Sequence, residues 1–231
     1  MTATLTPLRR PVVAAEGVYV PQQDSRLLIE TLTRSTAVFG RRALDLCTGS
    51  GIVAIAAAEL GAAVVSAWDV SPRAVRCASA NAEAAGVSVS VRLGSIGDAL
   101  RHGPYDVVLC NPPYVPAPAD ARAEQIDPRT GGALAWDAGE DGRTFLDPLC
   151  AAAPLLLATG GTMLVVHSEF AGAQQTVDSL RCSGLSSDVV VSQMIPFGPV
   201  LSARATWLEE TGRLEPGRRE VQLVVVRARR G

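Results

Sequence analysis

The sequence contains no lysine: all 21 of its basic residues are arginines. Lysine nucleophiles and Schiff-base chemistry are therefore excluded. Neither sign of charge dominates, because 23 acidic residues nearly balance the arginines and leave a formal net charge of −2. That balance provides no overall attraction to nucleic acid or to anionic membranes.

The five cysteines form no recognisable ligand or disulfide pattern. They are scattered singly over residues 47–182, and no Cys-x-x-Cys or Cys/His spacing occurs. Neither a zinc site nor a disulfide framework is expected, and free thiols suit a reducing, cytoplasmic location. No apolar run reaches the roughly 18 residues of a membrane span. No apolar stretch follows Arg9 and Arg10, as it would in a signal peptide.

Short apolar strands alternate with helical segments along the 231 residues. The fifth strand is predicted over residues 162–166, after the glycines at 160 and 161, and a short helix is predicted around residues 203–210. Such alternation predicts a parallel sheet with right-handed crossovers. The last two predicted strands have no clear crossover helix between them, which predicts an antiparallel pair at one edge. We therefore expect one α/β domain over residues 17–231, preceded by an irregular arm over residues 1–16.

A glycine-containing turn follows the first predicted strand, at residues 45–51 (Asp-Leu-Cys-Thr-Gly-Ser-Gly). Glycines let the backbone approach a ligand closely, and the start of the next helix offers unpaired N–H groups. Asp69 ends the following strand, where a carboxylate can accept both hydroxyl protons of a ribose. The segment is therefore a candidate nucleotide site.

Three interpretations of this turn stay open: S-adenosylmethionine (SAM) binding, NAD binding, and a tight turn without a ligand. Cys47 occupies the place of the first glycine in the dinucleotide-binding pattern G-x-G-x-x-G. Asp45 further disfavours NAD, because a carboxylate inside the turn would repel a pyrophosphate but attract a sulfonium or an amino group. SAM is the leading interpretation.

The tetrapeptide Asn-Pro-Pro-Tyr at residues 111–114 follows the fourth predicted strand, at the edge where α/β proteins bind ligands. Its prolines fix the backbone and remove two N–H donors. The Asn111 side-chain oxygen and the Pro112 carbonyl can both accept from one NH₂ group, while Tyr114 can stack on the planar group carrying it. Such orientation can contribute about 7–11 kcal/mol to a reaction. A sulfonium methyl is already activated, so no metal is expected. The alternative is a structural proline-rich turn.

Together these segments resemble the HemK family of class I methyltransferases, which modify the glutamine of the Gly-Gly-Gln motif in peptide-chain release factors. The likeness runs from Tyr19 to about Ile195 and includes residues 19–25, the pair Asn81-Ala82 and the turn at residues 138–142. It implies a Rossmann-like α/β fold with a seven-stranded, mostly parallel sheet, helices on both faces and an antiparallel last strand.

The resemblance also implies which residues bind cofactor and substrate. The cofactor would be SAM, released as S-adenosylhomocysteine, with Asp69 on the ribose. The predicted cofactor contacts are Ser25, Asp45, Cys47, Thr48, Gly49, Gly51, Asp69, Ser95, Ile96 and Asn111. The predicted catalytic residues are Asn111, Pro112 and Tyr114, and these three with Pro113 form the predicted substrate site.

Three departures from the family pattern concern substrate and partner. The helical amino-terminal domain with which bacterial members grip the release factor has no counterpart, so the chain is more similar to the short archaeal and eukaryotic branch. Enzymes of that branch often need a small activating subunit, which the resemblance implies here too. Ser95 stands where the family has an acid for the adenine amino group, and residues 196–219 are an insertion of unknown role.

The expected function is N5-methylation of a glutamine side chain in a release factor or a related protein. One alternative is N-methylation of adenine or guanine in RNA or DNA, although the charge balance argues against long-duplex substrates. A second alternative, suggested by Ser95, is a SAM-binding scaffold without activity. Trp136 and His167 are also near the expected site, but core packing is the favoured interpretation of Trp136, and substrate contact is the less favoured one for His167.

Overall fold

The computed structural model of the chain describes residues 10–35, 37–119 and 132–231. Within these ranges strands and helices alternate along the sequence. The strands are β1 Arg42–Leu46, β2 Val64–Asp69, β3 Ser90–Leu93, β4 Tyr105–Cys110, β5 Leu157–Ser168, β6 Ser186–Pro196 and β7 Glu220–Arg229. The helices are α1 Gln23–Ser35, α2 Ile52–Glu59, α3 Pro72–Ala85, α4 Ile96–Leu100, α5 Leu146–Leu156, α6 Ala173–Cys182 and α7 Pro199–Glu210.

The strands form one sheet in the order β3-β2-β1-β4-β5-β7-β6. The strands from β3 to β5 pair in parallel, and β7 runs antiparallel to both β5 and β6. The predicted fold, a seven-stranded and mostly parallel sheet with an antiparallel last strand, is thereby confirmed. The chain changes direction across the sheet between β1 and β4, which opens a crevice at their carboxyl ends where α/β proteins bind ligands.

The central strands are apolar on both faces because helices cover both sides of the sheet. Leu44 of β1 and Val108 of β4 face one core, which α5 and α6 cover with residues such as Leu149. Ala43 and Leu109 face the opposite core, which α1 and α2 cover. Neighbouring residues of each strand therefore belong to different cores, as the alternation of side chains along a strand requires.

Several elements differ from the sequence-based expectation, and three of them are informative. β5 begins at Leu157 instead of about Thr162. A bulge shifts its register with β4, so that the two glycines expected before the strand become part of it. α4 was not expected, since five residues are too few for an apolar repeat. α7 begins at Pro199, four residues before the short helix expected from Ala203, because proline is well suited to the first helical turn.

The predicted arm is described only from Arg10 onward, and residues 1–9 lie outside the described ranges. Residues 10–16 are irregular and lie along α3, where Asn81 Nδ2 donates to the Val13 carbonyl at 2.8 Å. None of the helices in the described part of the chain is long and apolar enough to cross a membrane.

Candidate functional site

The carboxyl ends of β1, β2 and β4 border a cavity of about 200 Å³. Every predicted cofactor contact except Gly51 is part of its lining. These residues are Ser25, Asp45, Cys47, Thr48, Gly49, Asp69, Ser95, Ile96 and Asn111. Parallel strands bring residues from separate parts of the sequence to one edge, and this cavity, here called the first cavity, lies at that edge.

Gly51 lies behind the lining, where α2 and α3 meet. A Cβ atom there would come within 3.1 Å of the Ala78 backbone, and the residue has a φ of 84°. The glycine is required by helix packing and by its left-handed backbone. Asn81 of α3 donates to the Ser50 carbonyl at 2.8 Å and holds the same turn.

Asp45 is a buried carboxyl group beneath the turn. The Thr48 hydroxyl donates to it at 2.6 Å and the Ala54 N–H at 3.1 Å. Burial raises the pKa of Asp45 to about 7, against the opposing effect of these two hydrogen bonds. A carboxyl group in this state would be stabilised in its charged form by a cation placed in the cavity.

The Cys47 backbone has a φ of 58°, a conformation that residues with a side chain adopt at a cost. Position 47 thus has a left-handed backbone, which glycine would adopt without strain. The neighbouring Cys110 thiol is buried, and burial raises its pKa well above the usual value, so it is protonated rather than nucleophilic.

Asp69 lies at the end of β2 with its side chain anchored by the backbone. Its Oδ2 accepts from Gly49 N–H and its Oδ1 from Ser71 N–H, both at 2.9 Å. Each carboxylate oxygen retains a second lone pair, so the group can still accept from ribose hydroxyls. Burial raises the pKa of Asp69.

Ser95 has a structural role that the sequence analysis missed. The Ser95 N–H and hydroxyl both donate to Asp98 Oδ2 at 2.9 Å. The Ser95 side chain in turn faces the Asp98 backbone N–H, which completes a capping box at the start of α4. The Ser95 hydroxyl is therefore engaged by the helix cap, although the residue lines the first cavity. The sequence signal was available, because an acid follows the serine at the third position.

The apolar part of the lining was also missed. Val70, which is 52% exposed, follows Asp69 directly, and Leu134 is 66% exposed. Both line the first cavity together with Ile52 and Phe145. Exposed apolar side chains around a cavity can pack against a flat, weakly polar ring of a bound ligand.

A second cavity of about 240 Å³ lies beside the first. Tyr19, Asn111 and Ala135 line both cavities, whereas Pro112 and Tyr114 line only the second and Pro113 only the first. Asn111 therefore stands on the border between them. The predicted substrate residues are divided between the two cavities, and the predicted catalytic amide of Asn111 lines both of them.

A hydrogen-bonded relay determines how the Asn111 amide is oriented. Asn111 Nδ2 donates to Ser25 Oγ at 3.2 Å, and Ser25 Oγ donates to Asp24 Oδ1 at 3.2 Å. An ionised carboxylate only accepts, so the single Ser25 hydroxyl proton goes to Asp24 and the Ser25 oxygen must accept from Asn111. The relay leaves the Asn111 oxygen as the free acceptor, as the predicted role requires.

Asp24 also anchors two tyrosines. The Tyr19 hydroxyl donates to Asp24 Oδ2 at 2.8 Å and the Tyr114 hydroxyl at 3.1 Å, while Ser25 N–H donates to Oδ1 at 2.6 Å. Burial, followed by the Asp24 charge, raises the pKa of Tyr114 well above its usual value. The sequence alone did not single out Asp24 and Tyr19 as site residues, since Asp24 meets Tyr114 across 90 residues of the chain.

His167 and Trp136 belong to the core of the protein. His167 is fully buried, lines neither of the two cavities, and donates from Nδ1 to the Ser168 carbonyl at 2.9 Å. Burial lowers its pKa to about 4, so it is neutral. Trp136 is 8% exposed and packs against Val115 and Leu201, where it also lines the second cavity.

No cluster of three or more His, Cys, Asp or Glu side chains that could hold a metal ion occurs among the described residues.

The fold and the two cavities define the class of the protein. The Mtq2–Trm112 complex of E. cuniculi, described as responsible for methylation of the eRF1 translation termination factor, superimposes with a TM-score of 0.61. The match covers 93% of this chain and 99% of that chain at 18% sequence identity. At this identity the likeness establishes the fold, that of a class I methyltransferase.

Sequence comparison establishes the family. Residues 11–125 match the family described as Methyltransferase small domain. A putative protein N5-glutamine methyltransferase of Methanocaldococcus jannaschii is 31% identical over 188 residues, which cover 81% of this chain and 91% of that protein. The chain belongs to the HemK family of SAM-dependent methyltransferases, as the sequence predicted.

Bacterial relatives of the family are longer. The release factor glutamine methyltransferase of Geobacter sulfurreducens is 35% identical over 155 residues, and the match covers 66% of this chain but 54% of that protein. The chain therefore matches about half of the length of this relative.

Proposed function

We propose that this chain transfers the methyl group of SAM to the side-chain amide nitrogen of a glutamine in a release factor or a related protein. The observation that carries the proposal is the position of Asn111, which lines both cavities. Because its Nδ2 donates to Ser25, its side-chain oxygen is the atom available to accept from a substrate. The names of the relatives, which are protein glutamine methyltransferases, support the same acceptor.

The residues of the first cavity fit SAM chemically. Asp69 keeps lone pairs for ribose hydroxyls, and Asp45 is a buried acid that a positive charge would stabilise. Val70 and Ile96 offer apolar surface for an adenine ring. When bound, SAM supplies a methyl group already activated by the sulfonium.

The second cavity would hold the glutamine amide. Asn111 Oδ1 and the Pro112 carbonyl accept the two N–H protons, and this turns the nitrogen lone pair toward the first cavity. An amide nitrogen is a weak nucleophile because its lone pair is delocalised, so orientation is what these residues contribute. The Tyr114 hydroxyl is held by Asp24, which leaves the tyrosine ring to contact the acceptor. The nitrogen loses one proton to solvent as the C–N bond forms.

The electrostatics of the second cavity favour a polypeptide over a nucleic acid. Asp24 is the charged residue of its lining, which includes no arginine or histidine among the described residues. Nucleic-acid binding relies on cations that neutralise phosphates. The described residues of this lining include no cation that could neutralise a phosphate.

Transfer of a labelled methyl group from SAM tests the proposal. We expect label in a peptide containing Gly-Gly-Gln, and none in the same peptide with glutamate in place of glutamine or in an oligonucleotide. Label in the oligonucleotide with none in the glutamine peptide would contradict the proposal and support a nucleobase methyltransferase.

A small activating subunit is a further part of the proposal. The similar E. cuniculi protein was solved as a complex of Mtq2 with Trm112, and we propose a comparable partner here. Affinity purification from the native cytoplasm, where we expect the protein to reside, should recover such a subunit. Adding it should raise the methyl-transfer rate of the isolated chain, and an unchanged rate would contradict this part of the proposal.

A further inference from the structure

The inserted segment 196–219 reaches the candidate site. Its first six residues leave the end of β6 and begin α7, and together they form one side of the second cavity, here called the α7 wall. The wall consists of Pro196, Phe197, Gly198, Pro199, Val200 and Leu201. The catalytic tetrapeptide borders the same cavity, so the insertion and the catalytic loop enclose one space.

A buried arginine fastens α7 to the catalytic loop. The Arg204 side chain is fully buried and forms an ion pair with Asp137. Its Nη1 also donates to the Pro116 carbonyl at 2.8 Å, two residues after Tyr114. The guanidinium lies 4.7 Å from the ring centre of Trp136. Because a buried charge is costly to leave unpaired, these contacts hold the wall in a defined position.

Apolar packing stiffens the same wall. Val200 and Leu201 are buried in a cluster with Val115, Trp136 and Val221, which lies apart from the two cores of the sheet. Buried side chains in such a cluster occupy fixed rotamers at high packing density. The wall therefore presents a preformed apolar surface to whatever enters the cavity.

The wall also lacks any means of compensating a charge. Its six residues are uncharged, and the carboxylate of Asp24, elsewhere in the cavity lining, already accepts from Tyr19, Ser25 and Tyr114. A charged group held against this surface would lose hydration without gaining an unengaged ionic partner among the described lining residues, which is strongly unfavourable.

We infer that the α7 wall contacts the residue next to the methylated glutamine and selects acceptors whose neighbouring side chain is uncharged. The inference rests on the proposed function and extends it: the insertion determines which glutamines are accepted, while the tetrapeptide determines that an amide is methylated. Phe197 to Leu201 are specificity residues, and Arg204 is a positioning residue.

A charge-reversal experiment tests the selection. Two sets of glutamine peptides carry alanine, glutamate or lysine immediately before or immediately after the glutamine. For the unmodified protein we expect kcat/KM to fall about tenfold for a charged neighbour on the side facing the wall. Pro199→Arg should restore kcat/KM for the glutamate peptide and lower kcat/KM for the lysine peptide further. Both changes should arise mainly from KM.

The matched control is Ser202→Arg, which adds the same charge to an exposed position of α7 outside the cavity lining. It should leave the peptide preference unchanged. SAM affinity, measured by calorimetry, should agree within about twofold for all three proteins, because the wall is not part of the first cavity.

Narrowing the cavity tests the wall independently. A Cβ atom on Gly198 would lie 3.2 Å from Gln22 Oε1, the end of a flexible side chain, and the φ of −76° accepts any residue. Gly198→Leu should therefore fold, raise the KM of every glutamine peptide, and leave SAM affinity unchanged. Ser202→Leu is its control.

The outcomes separate the two proposals. If the unmodified protein methylates glutamine peptides but neither Pro199→Arg nor Gly198→Leu alters peptide preference or KM, the role of the wall is disproved and the proposed function stands. If the unmodified protein labels no glutamine peptide but labels a nucleic acid, the proposed function fails, and the wall's selection of polypeptides fails with it.

Discussion

The two cavities that meet at Asn111 are assembled differently. Apart from residues near α1 and in the 132–145 region, the first is lined by residues at or shortly after the carboxyl ends of β1, β2, β3 and β4. The second combines residues 19–24, 111–115, 135–136, 195–201 and 221–223. The residues proposed to bind the cofactor therefore come from short local motifs, whereas those proposed to bind the acceptor come from distant segments.

The two buried acids show the same contrast. Asp45 receives donors from its own turn and from the start of α2, within nine residues, and burial raises its pKa to about 7. Asp24 collects hydroxyl protons from Tyr19, Ser25 and Tyr114, the last of them 90 residues away. One acid supports a local turn, and the other connects two parts of the protein.

The sharpest way to test this division is Asn111→Ala at the junction. Loss of an oriented polar contact to the reacting group should lower kcat about 100- to 1,000-fold. SAM affinity should change far less, because Asp69 and the turn after β1 are untouched. Methyl-transfer kinetics and calorimetry measure the two effects, and full turnover by the variant would rule out a catalytic role for this amide.

Asp24→Asn should give the next largest effect. An amide can donate to Ser25 Oγ, which would allow the hydroxyl to donate toward Asn111 and reverse the relay. We expect kcat to fall about tenfold, equivalent to one lost hydrogen bond of about 1.4 kcal/mol. Tyr19→Phe is the comparison, because it removes one donor to Asp24 without reversing the relay.

A purely structural role for Asp24 predicts a different pattern. Both variants would then lower the melting temperature and the activity in parallel. The relay predicts that Asp24→Asn loses kcat even at temperatures where its folded fraction equals that of Tyr19→Phe.

Asp45 should make stability depend on pH in a defined direction. Its folded pKa of about 7 lies above the ordinary aspartate pKa of 3.8, so the folded state favours the protonated acid. Stability is therefore lost as pH rises from about 4 to about 7, by at most about 4 kcal/mol. Asp45→Asn should remove this loss.

Urea unfolding at pH 5 and pH 8 measures the difference between the two proteins. Burial lowers the pKa of His167 to about 4, so its effect runs in the opposite direction, with stability lost as pH falls below about 6.5. Comparing the variant with the unmodified protein at each pH cancels that contribution. An equal difference at both pH values would contradict the raised pKa of Asp45.

Ser95→Ala should have the smallest effect. Its capping box at α4 predicts a loss of about 1 kcal/mol in unfolding free energy. SAM affinity should change little, because the hydroxyl is engaged by Asp98. A large loss of SAM affinity at unchanged stability would instead favour the direct cofactor contact expected from the sequence.

The sequence alone was enough for most of the order of strands and helices, and for placing the glycine turn, Asp69 and the tetrapeptide at residues 111–114 at one edge of the sheet. These features rest on apolar periodicity and on turn chemistry, which involve residues close together in the chain. The short helix α4 and the early start of α7 were missed, although a capping box and a proline marked them. The bulge in β5 depends on its pairing with β4 and has no comparable local signal.

Only the tertiary structure shows that Tyr114 donates a hydrogen bond to Asp24. It alone also shows that residues 196–201 line the same cavity as Asn111 and Tyr114. Contacts between such distant residues arise from how helices and strands pack, and the local sequence around one residue does not indicate the other. The amino-acid order thus determined the reaction chemistry expected at the edge of the sheet. The packing of α7 decided the shape and charge of the cavity beside it.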